Sequence, residues 1–590
     1  MDYIPFLSLN WQNFDELKKQ LNTKLIYEFG IQAKDFRHLI HILENGLTII
    51  SIQLSIDIYN FTLISTDFES YKKLINIYNK SQIKEATLQD IKRFTNEGIV
   101  IIHPNQKIWY SWIVSLYNKL NSLNTFIAVW KQLNLEIKYL NNPNVKPFLL
   151  TDILRAETFK DTLYKEAKIN NLNKLKEIKF YGKEFLNTSD SEKENKAFEF
   201  IKTKCFNKLK KMEKFEDPIY RKRLVEELKV LKKSNFCLYI ANVYNIVYLS
   251  RKENILVWWG RGSSVSSLIL YLMDINLINP LNFNLNFERF LNANKIADID
   301  IDVASSDRLQ LEQILNTKYK NKIAKLIVDK NPSWSEHPTG FMITDTDIMS
   351  EIPLFIKDEQ KFCQWTESNT NKYLSKLNYL KYDFLNSKLL DSLKEYLNKN
   401  NITIEQLYKV TVNNWNPMWT EFIKNNSETL FQMGSESAKK ILKIMPIDSF
   451  DKLIKFNAIN RPSVYSQNLF TVINHVSKNR IKIYHNEFLD NLLKETNWFI
   501  LYQEQAIAIS EYLLQMPYKD IMRIVKEHKT EELEQYKTRF LENCQSLRLT
   551  PWDSNMLWNW ILWFSFYGLN KAHAVSYAYL ILFDVLRHFN

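Results

Sequence analysis

The chain has little cysteine, little glycine and no long apolar run. Its four cysteines, at positions 205, 237, 363 and 544, form no CxxC pair. A structural zinc site or a disulfide framework is therefore not expected, and a reducing compartment is indicated. The nine glycines accompany an excess of Asn, Lys and Ile, which is typical of an AT-rich genome.

Targeting and membrane segments are also missing from the pattern. The start, Met1–Pro5, has neither a basic region nor an apolar one, so no signal peptide is predicted. The apolar stretch Met556–Phe566 is short and contains Asn559, so we interpret it as a buried core helix rather than a membrane span. These features predict a soluble, intracellular protein.

Net charge and chain length limit the possible partners and the number of domains. The formal net charge is +12 over 590 residues, with a pI near 9.0. Such a balance indicates either a lysine-rich proteome or a polyanionic partner such as nucleic acid. The length predicts roughly three to five domains. Strand and helix signals alternate up to about residue 185, helices follow to residue 250, strands and helices mix to about 390, and the rest is almost wholly helical.

A glycine turn follows a predicted buried strand at Ile255–Trp259. Gly260 and Gly262 allow a sharp turn, and Ser263 can cap a helix predicted over 264–273. Backbone N–H groups and the helix dipole would then attract an anion, with Arg261 as a planar cation for phosphate oxygens. The alternative is a plain turn between two elements.

Three aspartates alternate with apolar residues in the next strand. Asp298, Asp300 and Asp302 share one face if this segment is extended. Like charges at this spacing repel unless cations neutralise them, and Mg²⁺ prefers such hard oxygen ligands. The alternative is an exposed acidic edge strand. A second strand candidate places Lys381 and Asp383 on a common face.

The order of these motifs resembles the C-family bacterial replicative DNA polymerases, that is, the alpha subunit of DNA polymerase III, in a compact, truncated form. The supporting motifs, in chain order, are Tyr220–Leu228, Gly260–Ser263, Asn279–Leu281, Phe287–Asn292, Asp298–Val303, His337–Gly340, Lys381–Leu385, Phe431–Gln432, Arg461–Pro462, Tyr502–Gln505 and Tyr567–Ala574. The resemblance covers about residues 195 to 585.

The resemblance implies an α+β fold with a polymerase-beta-like nucleotidyltransferase palm. Asp300, Asp302 and Asp383 would be catalytic and hold two Mg²⁺ ions, with Mn²⁺ as a substitute, while Asp298 would be a helper or a structural residue. The nucleotide-binding residues would be Arg261, Gly262, Ser263, Arg289, Lys381, Lys571 and His573. For His573, helix packing is an equal alternative.

The implied domains are 1–190, an α/β domain resembling a degenerate polymerase-and-histidinol-phosphatase domain; 191–390, the palm; and 391–590, helical fingers. The first lacks the expected HxH motif. Its His38 and His41 have helical spacing and are interpreted as a helix surface, so no proofreading or phosphatase activity is expected.

Departures from the family pattern also carry predictions. Lys295 stands where the family has arginine, and Arg523 remains from a pair of arginines. The interval from Asp302 to Asp383 is 81 positions, which is short for the family and predicts an absent or vestigial thumb. No clamp-binding motif is recognised, so low intrinsic processivity is expected.

The leading hypothesis is a DNA-directed DNA polymerase that transfers a nucleotide from dNTP to a primer 3′-hydroxyl. Its expected partners are primer–template DNA and dNTP, with no membrane partner and with a clamp or accessory subunit left open. The expected location is cytoplasmic, in a bacterium or in the host of a phage. Two alternatives are a catalytically inactive DNA-binding scaffold and a template-independent nucleotidyltransferase.

Overall fold

A computed structural model describes much of the chain. The described residues are 31–33, 50–57, 59–65, 68–96, 98–103, 116, 119–120, 125–130, 147–150, 191–234, 236–258, 262–291, 299–330, 333–344, 347–366, 381–411, 415–460, 484–515, 521, 523–524, 530–567 and 569–589. Within these ranges, every helix is too short or too polar to cross a bilayer.

The strands, in chain order, are β1 Ile31–Ala33, β2 Ile50–Ile56, β3 Tyr59–Ile64, β4 Ile99–His103, β5 Thr125–Trp130, β6 Pro147–Leu150, β7 Val257–Trp258, β8 Asp300–Ala304, β9 Ile323–Lys330, β10 Ser333–Ile343, β11 Leu354–Lys357, β12 Gln360–Thr366 and β13 Lys381–Ser387.

The α-helices are α1 Phe68–Gln82, α2 Leu88–Phe94, α3 Ser191–Lys211, α4 Pro218–Ser234, α5 Cys237–Lys252, α6 Leu268–Leu272, α7 Arg308–Lys318, α8 Ile348–Glu351, α9 Lys388–Asn400, α10 Ile404–Thr411, α11 Pro417–Asn426, α12 Glu436–Ile444, α13 Phe450–Ile459, α14 Glu487–Leu493, α15 Gln503–Leu514, α16 Thr530–Ser546, α17 Pro551–Tyr567 and α18 Lys571–Phe589.

The chain divides into two compact units. Unit 1 consists of Met1–Asp190 and Gln313–Asp383, and unit 2 consists of Ser191–Glu312 and Phe384–Asn590. Helix α7 and strand β13 each run from one unit into the other. The three-domain division at residues 190 and 390 stays a prediction.

Unit 1 contains two groups of strands around one core. The N-terminal sheet has the order β1-β2-β3-β4-β5-β6, and β9 lies between β12 and β10 in the second group. Helix α1 contacts both groups: it packs against β2, and the side-chain oxygen of its buried Asn79 accepts the N–H of Leu354, at the start of β11, at 2.9 Å. The apolar core correspondingly takes side chains from both segments of the unit.

Unit 2 is mainly helical. Helices α3, α4 and α5 precede the short antiparallel pair β7–β8, and α9 packs against β8. A separate apolar core joins α14, α15, α16 and α17. Within α17, Leu557, Trp558 and Ile561 are buried, so the predicted core helix at 556–566 is confirmed.

Many predicted elements are confirmed, because their local pattern is strong. Within its described residues, the region up to about residue 185 contains strands β1 to β6 together with helices α1 and α2, and the segment from residue 191 forms helices. The overall mixture of helices and sheet agrees with the expected α+β class. His38 and His41 lie outside the described residues, as do Lys295 and Arg461–Pro462.

Candidate active site

Of the predicted glycine turn, the structure describes Gly262, four residues after the end of β7. Gly262 has a φ of +65°, a left-handed conformation that favours glycine. A Cβ built at this position would meet no atom within 4 Å, so the requirement for glycine comes from the backbone angle rather than from crowding. Residues 259–261, and with them the predicted phosphate ligand Arg261, lie outside the described residues.

The prediction of the helix after the turn is wrong about where the helix begins and which residue caps it. Gly262–Ser266 forms a 3₁₀ helix, and α6 begins only at Leu268. The cap is Ser267 rather than Ser263, since the Ser267 hydroxyl accepts the N–H of Leu270 at 3.3 Å. We name residues 262–266 the phosphate turn, after its expected ligand.

A buried carboxylate explains this difference. Glu227 on α4 accepts the N–H groups of Leu268 and Ile269 at 2.9 and 3.0 Å. These amides are the first of α6, and a helix start normally leaves such donors for a cap or an anion. The expectation that the start of this helix offers its amides to phosphate is therefore wrong. The local pattern could not reveal it, because Glu227 lies some 40 residues upstream.

The acidic strand is confirmed as β8. Asp300 is half-buried and Asp302 is buried with 7% of its surface exposed, while Ile301 and Val303 fill the other face. In the antiparallel pair, Asp302 lies opposite Trp258 and Val303 opposite Val257. Asp302 is thus no part of an exposed acidic edge. Asp298 lies outside the described residues.

Lys381 and Asp383 share a face of β13, as predicted. The Lys381 ammonium lies 2.9 Å from the Asp383 carboxylate, and both side chains are largely buried. The Thr339 hydroxyl on β10 donates to Asp383 at 3.1 Å, and Gly340 pairs with Asp383 in the sheet register. Asp383 therefore has a cation and a hydroxyl donor within unit 1.

His337 shapes the turn that presents Thr339. Its Nδ1 accepts the N–H of Gly340 at 2.8 Å and that of Thr339 at 3.2 Å. A Cβ at Gly340 would come within 2.9 Å of His337 Nδ1 and of Leu326 Cδ1, so this position has room only for glycine. The sequence analysis did not predict that His337 and Thr339 lie beside Asp383, because their placement depends on the pairing of β10 with β13.

Helix α18 brings Lys571 and His573 into the same unit as the phosphate turn. The helix packs against that turn, and the Trp258 indole donates to the Ser576 hydroxyl at 3.2 Å. The Lys571 ammonium is 2.6 Å from a Glu495 carboxylate oxygen and lies over the Tyr502 ring. The His573 ring is 4.3 Å from the Tyr577 ring, an edge contact that suits a packing role.

The predicted site residues fall in both units. The phosphate turn, Asp300, Asp302, Lys571 and His573 belong to unit 2, whereas Lys381 and Asp383 belong to unit 1. The side chain of Arg289 is outside the described part of the chain. Within that part, no three His, Cys, Asp or Glu side chains are already arranged as a metal-ligand set.

Comparison with known proteins matches two segments of the chain to domains of one class of protein. Residues 199–331 match the family described as "Bacterial DNA polymerase III alpha NTPase domain". Residues 386–548 match the one described as "Bacterial DNA polymerase III alpha subunit finger domain". The first match contains the phosphate turn and β8, and the second contains α9 to α16.

Curated relatives carry the same description. A DNA polymerase III subunit alpha of Staphylococcus epidermidis is 23% identical over 605 residues, covering 84% of this chain and 56% of the relative. One of Staphylococcus aureus strain COL is 25% identical over 487 residues, covering 68% and 45%. Another, of strain MRSA252, is 26% identical over 459 residues, covering 64% and 42%.

The chain belongs to the family of bacterial DNA polymerase III alpha subunits. It spans about half the length of the curated relatives that it matches.

Proposed function

We propose that this chain is a DNA-directed DNA polymerase that adds nucleotides from dNTP to a primer 3′-hydroxyl. The observation that carries the proposal lies within unit 2. Asp302 is paired with Trp258, and the phosphate turn begins four residues after Trp258. The strand pair β7–β8 therefore connects a buried carboxylate to the turn that we propose binds the triphosphate. Nucleotidyl transfer needs both, because the triphosphate must be bound and metal ions held by carboxylates must assist the displacement of pyrophosphate.

The carboxylates of Asp300, Asp302 and Asp383 are the hard oxygen donors that Mg²⁺ takes in proteins, and Mn²⁺ accepts the same set. Asp302 is buried with 7% of its surface exposed, and Asp300, two residues earlier on β8, is half-buried on the same face, as two ligands of one cation site would need to be. When bound, the two ions would lower the pKa of the primer hydroxyl and stabilise the leaving pyrophosphate.

The assignment of Asp383 to the same site as Asp300 and Asp302 is part of the proposal. This assignment is supported by the residue next to Asp383 in the sequence. Phe384 directly follows Asp383, and the Phe384 carbonyl accepts a hydrogen bond from Arg308. Arg308 begins helix α7, four residues beyond the end of β8. The metal-ligand set would be completed when DNA, nucleotide and cations are bound.

The remaining residues would bind and orient the nucleotide. The backbone of Gly262 and Ser263 would contact the triphosphate, while Arg261, Arg289 and Lys381 would supply phosphate cations. Lys571 and His573 would act from α18, the helix that packs against the phosphate turn. In domain terms, this arrangement would be a polymerase-beta-like palm over 191–390 and fingers over 391–590. Residues 1–190 would be a degenerate phosphatase-like domain without catalytic activity.

Primer extension tests the proposal directly. The purified chain is incubated with Mg²⁺, all four dNTPs and a labelled primer annealed to a longer template. Templated extension is expected, and products that match the template sequence would support it. Extension of a single strand without template would favour the template-independent alternative, and tight binding of primed DNA without incorporation would favour a scaffold role. Either result would overturn the proposal.

A further inference from the structure

Glu227 is a fully buried carboxylate that contacts the three residues directly after the phosphate turn. One of its oxygens accepts the Leu268 N–H, and the other accepts both the Ile269 N–H and the Ser267 hydroxyl, at 2.9 to 3.0 Å. The guanidinium Nε of Arg223, one helical turn earlier on α4, donates to the same carboxylate at 2.7 Å. Glu227 therefore receives a donor from each of three consecutive residues that follow the phosphate turn, and a cation.

Arg223 extends this network to the turn itself. A terminal nitrogen of its guanidinium donates to the Ser266 carbonyl at 2.8 Å and to the Leu285 carbonyl at 2.9 Å. Ser266 is the last residue of the phosphate turn, and Leu285 precedes the segment that carries Arg289. A single guanidinium thus connects the turn, the following loop and Glu227.

The Arg223 charge and the amide donors stabilise the buried Glu227 carboxylate. Burial raises the pKa of Glu227, while the Arg223 charge and the two amide donors lower it and offset part of that cost. A buried carboxylate that loses its cation or its donors is strongly destabilised. The hydrogen bonds of Arg223 and Glu227 therefore hold Ser266–Ile269 against α4.

We infer that Arg223 and Glu227 are positioning residues that fix the phosphate turn for the triphosphate of the incoming nucleotide. Glu227 also occupies the first amides of α6, so the triphosphate would be bound by the backbone of residues 262–266 and by side-chain cations, and not by the start of α6. This inference rests on the proposed function and names the part of the chain that sets nucleotide affinity.

Nucleotide kinetics test the inference in the full-length chain. Glu227→Gln places an amide donor against two of the four donors that Glu227 accepts, and Arg223→Lys replaces a fork of donors with a single ammonium. For each, we expect the KM for dNTP to rise about tenfold or more, with the KM for primed DNA unchanged. Glu226→Gln is the matched control, because its side chain is exposed on the same helix. A lower kcat with an unchanged KM for dNTP would indicate a merely structural role and overturn the inference.

Amide hydrogen exchange separates this inference from the proposed function. Protection of the Leu268 and Ile269 amides should fall in Glu227→Gln and stay unchanged in Glu226→Gln, whether or not the protein polymerises DNA. If Glu227→Gln fails to fold, Ser267→Ala removes one donor to Glu227 and should still raise the KM for dNTP about threefold. Wild-type protection at both amides no greater than in exposed turns would contradict the hydrogen bonds themselves.

Discussion

Lys381 and Asp383 form an ion pair on one face of β13, with 2.9 Å between the ammonium and the carboxylate. Only 7% and 12% of the two side chains are exposed, so water screens the pair little. The proposed function gives both residues other partners, a phosphate for Lys381 and a cation for Asp383. Binding of nucleotide and metal would then exchange one charge pair for two, and neither residue would be left buried and unpaired.

Lys381→Gln should therefore impair nucleotide binding. We expect the KM for dNTP in primer extension to rise between about tenfold and 100-fold, because a largely buried cation beside phosphate is lost. Lys325→Gln is the matched control. Lys325 pairs with Glu336 at 2.6 Å in the same group of strands but is not a predicted site residue. An equal effect of both substitutions would indicate that sheet stability, and not phosphate binding, is measured.

The aspartates of β8 should be essential for incorporation. Asp300→Asn and Asp302→Asn each remove a charged ligand, and we expect single-nucleotide incorporation to fall by about 10³-fold or more, since such a ligand accounts for several kcal/mol of transition-state stabilisation. Rates should be measured at saturating dNTP over a range of Mg²⁺ and Mn²⁺ concentrations. Asp448→Asn, at an exposed surface ion pair with Lys452, is the control and should retain the wild-type rate. Full activity of a variant that carries both Asp300→Asn and Asp302→Asn would contradict the assignment of these residues as metal ligands.

Local sequence pattern predicted the glycine turn, the acidic strand and the shared face of Lys381 and Asp383, because each depends on residues close together in the chain. It failed at the helix after the turn. Ser263 and Ser267 are equally good caps by local rules, and the choice is made by Glu227 from a different helix. The contacts of Thr339 with Asp383 and of Trp258 with Ser576 likewise depend on tertiary packing, which no local pattern contains.

The left-handed angle at Gly262 predicts a graded series of substitutions. Space is open around a Cβ here, so only the backbone angle opposes a side chain. Gly262→Asn should be tolerated best, Gly262→Ala should cost about 1 kcal/mol of unfolding free energy, and Gly262→Val should cost more, since β-branched residues rarely adopt positive φ. Urea unfolding gives the order. The KM for dNTP should follow the same order if the turn binds the triphosphate through its backbone. A valine variant as stable as the alanine variant would contradict the assigned angle.

Lys571 offers a test in which its own partner is the control. Its ammonium is paired with Glu495 at 2.6 Å, and the Glu495 side chain is 42% exposed, so the pair should contribute little to stability. Lys571→Met and Glu495→Gln both break this ion pair, but only the first removes the cation from α18. If Lys571 binds the nucleotide, Lys571→Met should raise the KM for dNTP about tenfold, whereas Glu495→Gln should leave it unchanged or lower it by releasing the ammonium. His573→Gln in the same assay should have a smaller effect than Lys571→Met, because the ring packs against Tyr577. Equal losses in Lys571→Met and Glu495→Gln would assign Lys571 a structural role in unit 2 in place of nucleotide binding.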